Sequence, residues 1–298
     1  MTMLMTQDDI RKHYELEWKQ KATAASQAAA GSASADALAY SNPVEDAVLY
    51  PLYAKLIGDL NMKVNGGRVL DVGCGSGRWV RFFLDRFLPQ LLLGIDYATA
   101  SIELLRATNP VPDKSRSSAL AFEVADITDP VVPQRQEFKK PFDLINVANV
   151  LFHIPEPVKF AQALLNLSKL IAPQGHIVTT EYLPRATMRT PWMLVRSRYE
   201  FEAAAAAAGL RIVAVRAFSF FSNDPMGLDG PDQAVRGCFH KVRAGMQTVL
   251  SANMDANSRQ VLTTLLVNIE QAALSFSRER IAEMDLPSQK LVVLKRIA

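Results

Sequence analysis

Short apolar runs and amphipathic stretches of helical period alternate along the middle of the chain. From Gly66-Gly67 onward RVLDV reads as a strand, SGRWVRFFLDRFL as a helix, LLLGID as a second strand and ATASIELLRAT as a second helix. LAFEV and FDLINVAN are the third and fourth strands. PEPVKFAQALLNLSKLI is an amphipathic helix ended by Pro173, and HIVTTEYL is the fifth strand. SRYEFEAAAAAAGL is a helix closed by Gly209, and LRIVAVRAF is strand six. This βαβα order predicts an α/β, doubly wound domain with a parallel sheet under helices on both faces.

The alternation stops at both ends. Residues 7 to 20 read as a short helix carrying Tyr14 and Trp18, followed by the Ala- and Ser-rich KATAASQAAAGSASADALAY. Asn42-Pro43 has the form of an N-cap with Pro at the first helical position, and Val44, Val48, Leu49, Leu52, Leu56 and Ile57 then share a helical face. Pro51 is expected to kink or break that helix. Residues 218 to 289 carry long helical patterns such as VLTTLLVNIEQAALSF, and KLVVLKRIA reads as one more strand. The expected organisation is a helical cap over 1–62, a core over 63–217, a helical insertion over 218–289, and a final core strand over 290–298.

Composition narrows the function. Of 298 residues 49% are hydrophobic and 21% charged, and the net charge of +3 comes from scattered Lys and Arg. That balance predicts neither a nucleic-acid nor a membrane partner. Cys74 and Cys238 are distant in sequence and read as free thiols of a cytoplasmic protein. No metal-ligand spacing is present. The first residues, MTMLMTQDDIRKHYELEW, lack the apolar core of a signal peptide.

The chemistry concentrates in VLDVGCGSGRW, residues 69–79. A glycine-rich turn between a strand and a helix sits at the carboxyl edge of a parallel sheet, where a ligand can approach the backbone. A dinucleotide fingerprint would put its third glycine at position 78, which is Arg78. The Gly-Lys-Ser/Thr ending of a P-loop is also absent. Asp71 beside the turn would repel a phosphate and suits an ammonium or another positive group. Asp96, 19 residues beyond Gly77, stands where a carboxylate can bond ribose hydroxyls. Asp126 follows strand three and could accept from an exocyclic amine.

In order, VLDVGCGSGRW, LLLGID, FEVADIT, FDLINVANVLFHIPEP and LIAPQGHIVTTEYL resemble the successive motifs of class I (Rossmann-like) S-adenosylmethionine (SAM)-dependent methyltransferases. The resemblance covers about residues 63 to 217 and the last strand. It implies a seven-stranded, mostly parallel sheet whose last strand is antiparallel. It implies SAM as cofactor, with S-adenosylhomocysteine (SAH) as product. Carried over, Asp71, Gly73 and Gly75 lie along the methionine part, Asp96 bridges the ribose hydroxyls and Tyr97 stacks near adenine. Asp126 and Ile127 face the adenine edge, and Asn146 or Asn149 lies near the sulfonium.

The acceptor side is less determined. His153 follows strand four, and an imidazole there could act as general base or simply position its loop. Phe152, Glu181 and Tyr182 are expected to face the same cavity, with Tyr14 and Trp18 supplied by the N-terminal segment. The Asn/Asp-Pro-Pro-aromatic motif of amino-methylating enzymes is replaced by NVANV, and neither cysteine follows a proline. Two cysteines cannot make the three-cysteine motif of radical SAM enzymes. The expected activity is therefore methyl transfer to a small-molecule acceptor such as a specialised metabolite, with oxygen favoured because of His153. The alternatives are a SAM-binding protein without transferase chemistry and a modifier of protein or RNA. The insertion reads as a lid or as a dimerisation element of a homodimer.

Overall fold

The computed structural model describes residues 5–29, 43–108, 119–221, 233–251, 254–286 and 288–297. Seven strands form one sheet: β1 (Arg68–Val72), β2 (Leu91–Asp96), β3 (Ala119–Val124), β4 (Phe142–Val147), β5 (Ile171–Glu181), β6 (Leu210–Ala217) and β7 (Lys290–Arg296). Their spatial order is β3-β2-β1-β4-β5-β7-β6. The pairs among β1 to β5 are parallel, and β7 runs antiparallel to both β5 and β6. The register sets Asp71 level with Gly94 on one side and Asn146 on the other.

Helices cover both faces. One core joins β4 and β5 to α5 (Pro157–Leu170) and α6 (Arg198–Ala207) through Ile145, Ile177, Phe160, Leu167 and Phe201. The opposite core joins the sheet to α2 (Pro43–Asp59), α3 (Arg78–Arg86) and α4 (Thr99–Thr108) through Tyr53, Leu56, Phe83, Ile102 and Val178. Both faces of β1 and β2 are buried, which is why those strands read as near-continuous apolar runs.

Several boundaries differ from the sequence reading. The first helix, α1 (Gln7–Ala29), runs beyond residue 20 into the Ala-rich stretch, as the high helix propensity of Ala allows. Pro51 does not break α2. It and Ala47, whose carbonyl loses its donor, are both exposed, so water can satisfy that carbonyl. Strand β5 begins at Ile171, ahead of the expected start, and Tyr182 and Leu183 fall beyond its end. A two-stranded ribbon, Met188–Arg189 with Leu194–Val195, has no counterpart in the sequence reading. The expectations for Asn42 and for residues 222–232 lie outside the described residues.

Between β6 and β7 the chain forms α7 (Gln233–Ser251) and α8 (Ala256–Arg278). Helix α8 packs on α2, where Leu274 meets Val48. Its fully buried Glu270 accepts from the backbone N–H groups of Phe220 and Phe221, which fastens the exit of β6 to the helix. At the start of β7 the buried Lys290 donates to the carbonyls of Tyr182, Leu286 and Ser288 at 2.6, 2.7 and 2.8 Å. Among the described residues no helix is long and apolar enough to cross a membrane.

Candidate active site

The glycine turn leaves β1 with three positive φ angles: 67° at Gly73, 50° at Gly75 and 79° at Gly77. Its first amides are already used. Gly73 and Cys74 both donate to the Ile95 carbonyl, at 2.7 and 3.0 Å, and Gly75 donates to Asp96 Oδ2 at 3.1 Å. A phosphate cradle needs such N–H groups aimed at the ligand, so the turn agrees with the absence of the dinucleotide and P-loop patterns. A Cβ at position 73 would stand 2.4 Å from Val150 Cγ2. We expect Gly73→Ala to cost at least about 1–2 kcal/mol from the left-handed backbone alone, read as a lowered melting temperature. An unchanged melt would show that the turn relaxes freely.

Asp71 is fully buried. Tyr53 donates its hydroxyl to Asn146 Oδ1 at 3.1 Å, and Asn146 Nδ2 donates to Asp71 Oδ1 at 2.8 Å, so α2, β4 and β1 are tied in series. Asp71 Oδ2 is buried and has no hydrogen-bond partner among the described residues. Burial raises its pKa to about 7, against the Asn146 bond and with the help of the nearby Asp96 charge. An orphaned carboxylate oxygen fits a ligand bearing an ammonium group.

Asp96 ends β2 and is buried, with its pKa raised to about 6 chiefly by desolvation. Besides Gly75 it accepts from the Ala98 amide at 2.9 Å, leading into α4. A carboxylate has roughly four acceptor positions, so capacity remains here for hydroxyls. Ser101, which the sequence reading did not single out, donates to the Gly75 carbonyl at 2.9 Å, so Gly75 is held at both its N–H and its C=O. Asp126 follows β3, and its Oδ1 accepts from the amide and hydroxyl of Thr128 at 2.9 and 2.8 Å. Ile127 points into the core, and its carbonyl accepts from Asn166 Nδ2 at 2.8 Å.

Asn149 has a φ of 58°, and its Oδ1 accepts from Thr180 Oγ1 and Gln289 Nε2 at 2.8 and 2.7 Å. His153 ends a 3₁₀ turn at Leu151–His153. Its Nδ1 lies 3.2 Å from the Trp192 carbonyl, which can only accept, so Nδ1 carries the proton and Nε2 keeps its lone pair. The Tyr14 hydroxyl lies at the ring edge, 3.2 Å from Nδ1 and 3.3 Å from Nε2. Burial holds the imidazole pKa down to about 4, so the ring is neutral at ordinary pH. Phe152, Tyr182 and Val195 form an apolar cluster with Met188 and Met193 next to this loop. Glu181, the last residue of β5, is buried, accepts from Thr179 Oγ1 at 2.9 Å and has a pKa raised to about 8 by burial.

Helix α1 lies across this edge. Trp18 packs with Ala98, Ala100 and Leu104, and its ring would be 3.0 Å from a Cβ at Gly75. Arg11 pairs with Asp126 Oδ2 at 3.4 Å and sits 5.6 Å above the Tyr97 ring. Arg11 was not a sequence candidate. Its spacing from Tyr14 and Trp18, one helical face, is the signal that could have found it.

A family model described as a methyltransferase domain matches residues 49–215. Over 125 residues the chain is 33% identical to the highly reducing polyketide synthase ALT1 of Alternaria alternata, a match covering 41% of this chain and 5% of that protein. Over 144 residues it is 31% identical to the tRNA U34 carboxymethyltransferase of Idiomarina loihiensis, covering 44% of this chain and 42% of that protein. The chain thus accounts for less than half the length of either curated relative. The solved [4+2]-cyclase SpnF shares the fold, with a TM-score of 0.50 and 16% identity over 83% of this chain and 81% of that one.

Proposed function

The chain belongs to the class I S-adenosylmethionine-dependent methyltransferase family, and from its site we propose transfer of the SAM methyl group to a small-molecule acceptor, with a hydroxyl as the favoured nucleophile. The observation that carries the cofactor reading is a set of three carboxylates, Asp71, Asp96 and Asp126, at or just past the ends of β1, β2 and β3 beside the glycine turn. In this reading the unpartnered Oδ2 of Asp71 receives the ammonium group, and Gly73 and Gly75 lie along the methionine chain. Asp96 takes the ribose hydroxyls, while Tyr97 and Asp126 take the adenine ring and its amine. Asn149 stands toward the sulfonium side. SAM supplies the electrophilic methyl group, and the chain supplies alignment and a dry site.

For the acceptor, the cluster of Phe152, Tyr182, Val195 and two methionines supports an apolar or aromatic body. His153 supports a hydroxyl, because Trp192 fixes its proton on Nδ1 and leaves Nε2 as a proton acceptor. His153→Gln is expected to lower kcat by about 100-fold with the KM for SAM little changed. With its pKa near 4, the His153 contribution should be level above pH 5. Full turnover in the variant would remove His153 as base and leave it a positioning residue.

The reading is tested by incubating the protein with methyl-labelled SAM and three acceptor pools: small phenols and alcohols, tRNA, and peptides. Label in the small-molecule pool supports it. Label only in tRNA transfers the proposal to the chemistry of the Idiomarina loihiensis relative. SAM binding without transfer to any pool favours a SAM-binding protein of another role.

A further inference from the structure

We infer that α1 is an intramolecular competitor of the protein's own ligands: in the arrangement described, its side chains make the contacts that cofactor and acceptor would make. The inference rests on the SAM reading above. Three side chains on one face of the helix carry it. Arg11 brings a planar cation over the Tyr97 ring, 5.6 Å from its centroid, and pairs with Asp126 Oδ2 at 3.4 Å. Those are the aromatic face and the carboxylate assigned to adenine and its amine. Trp18 lies against Gly75, close enough that its ring would be 3.0 Å from even one added methyl carbon. That is the backbone surface assigned to the methionine chain. The Tyr14 phenol stands 3.2 Å from Nδ1 and 3.3 Å from Nε2 of His153, against the ring edge assigned to the acceptor hydroxyl.

While seated, the helix sets a guanidinium and two aromatic side chains where the ligands would lie, so it cannot keep all three contacts and admit both. Its attachment suits reversible release. The Arg11–Asp126 pair has a half-exposed Arg side chain, and such pairs contribute at most about 1 kcal/mol. Trp18, packed with Ala98 and Leu104, and the fully buried Ile10 supply the apolar anchors. Along the outer flank of α1 a groove of about 550 Å³, lined by Arg11, Leu16, Lys19, Tyr97 and Thr99, leaves room beside the helix at the Tyr97 ring. Occupancy by α1 therefore lowers the apparent affinity by the fraction of molecules in which it is seated, a cost that weakening α1 removes.

The experiment is SAH calorimetry on the full chain, wild type against Arg11→Ala and the double variant Arg11→Ala/Trp18→Ala. The expected result is binding about 3-fold tighter for the single variant and 10-fold or more for the double, with faster association. Weaker or unchanged binding overturns the inference, because a helix that clamps the bound cofactor would lose affinity when trimmed. Hydrogen exchange of residues 7–29 gives a second measurement that needs no variant. Saturating SAH should make α1 amides of the wild type exchange faster, and slower or unchanged exchange overturns the inference. Failure of the wild type to bind SAH at millimolar concentration would instead refute the SAM reading, so the two failures are distinct.

Discussion

Replacing Asp71 by Asn is expected to weaken SAM binding by about 100-fold while changing the melting temperature at pH 7 by only a few degrees. The loss follows from removing one partner of a buried charged pair, which costs roughly 2–5 kcal/mol. The fold is spared because the substituted side chain would keep an oxygen for the Asn146 amide and would no longer bury a carboxylate with one oxygen unpartnered. The pH dependence gives the sharper check. Asp71 has a pKa near 7 in the protein, against an ordinary 3.8. An incoming ammonium favours the ionised form, so below pH 7 binding must expel a proton. Affinity should fall about tenfold per unit as pH drops below 7 and level off above it. Calorimetry in two buffers of different ionisation enthalpy should show this proton, and Asp71→Asn should abolish it. The same shift bears on stability with the opposite preference. The folded state holds the Asp71 proton more tightly than the unfolded chain, so this contribution is fully present below about pH 4 and is lost as pH rises through 7. A wild-type affinity independent of pH between 5 and 8 would refute the assignment of Asp71 to the ammonium.

The second large effect is expected at Arg78. Its guanidinium pairs with Glu45 Oε1 at 3.1 Å and with Asp46 Oδ1, both on α2, and it lies 5.7 and 5.6 Å from the ring centres of Tyr50 and Trp79. Burial raises the pKa of both acids, and the Arg78 charge opposes that rise. Arg78→Met would remove the cation that offsets two buried or half-buried carboxylates, and a loss of about 3 kcal/mol is expected, at the lower end of the range for broken buried pairs. Acidification should partly restore the variant, because protonating Glu45 and Asp46 removes the negative charge that Arg78 offsets. Combining Arg78→Met with Glu45→Gln and Asp46→Asn should recover most of the loss. Thermal melts at pH 5 and pH 8 on the single and triple variants measure both claims. Equal melts for wild type and Arg78→Met would mean the cluster contributes nothing net.

These two sites show what the sequence discloses and what it withholds. Asp71 was legible because an acid closing a buried strand before glycines has few other reasons to be there. Its partner chain through Asn146 to Tyr53 was not, since it joins residues far apart in sequence. Arg78 excluded a dinucleotide by its bulk, yet nothing near it named Glu45 and Asp46 as its partners. The strands RVLDV and LLLGID were placed correctly because burial on both faces leaves a continuous apolar run. The Ala-rich end of α1 was read as low complexity because helix propensity without an apolar face gives no periodic signal. Tyr14 and Trp18 were marked as aromatics near the substrate, but docking decides which subsite each meets, and docking is tertiary. The ribbon at 188–195 was missed because two-residue strands carry no period at all.

The place of β7 has a consequence for how the chain is made. It is the last of the seven strands in chain order, yet it lies inside the sheet between β5 and β6. On a ribosome, β6 is complete before the 72 residues from 218 to 289 are added. At usual elongation rates that interval is about 4 to 14 seconds. Throughout it the five parallel strands can pair, while β5 and β6 each present an edge that only β7 will cover. The nascent protein thus carries a formed nucleotide-fold half with its seam unsewn, and its yield in cells should depend on how quickly residues 218–289 are translated or on what shields the seam meanwhile.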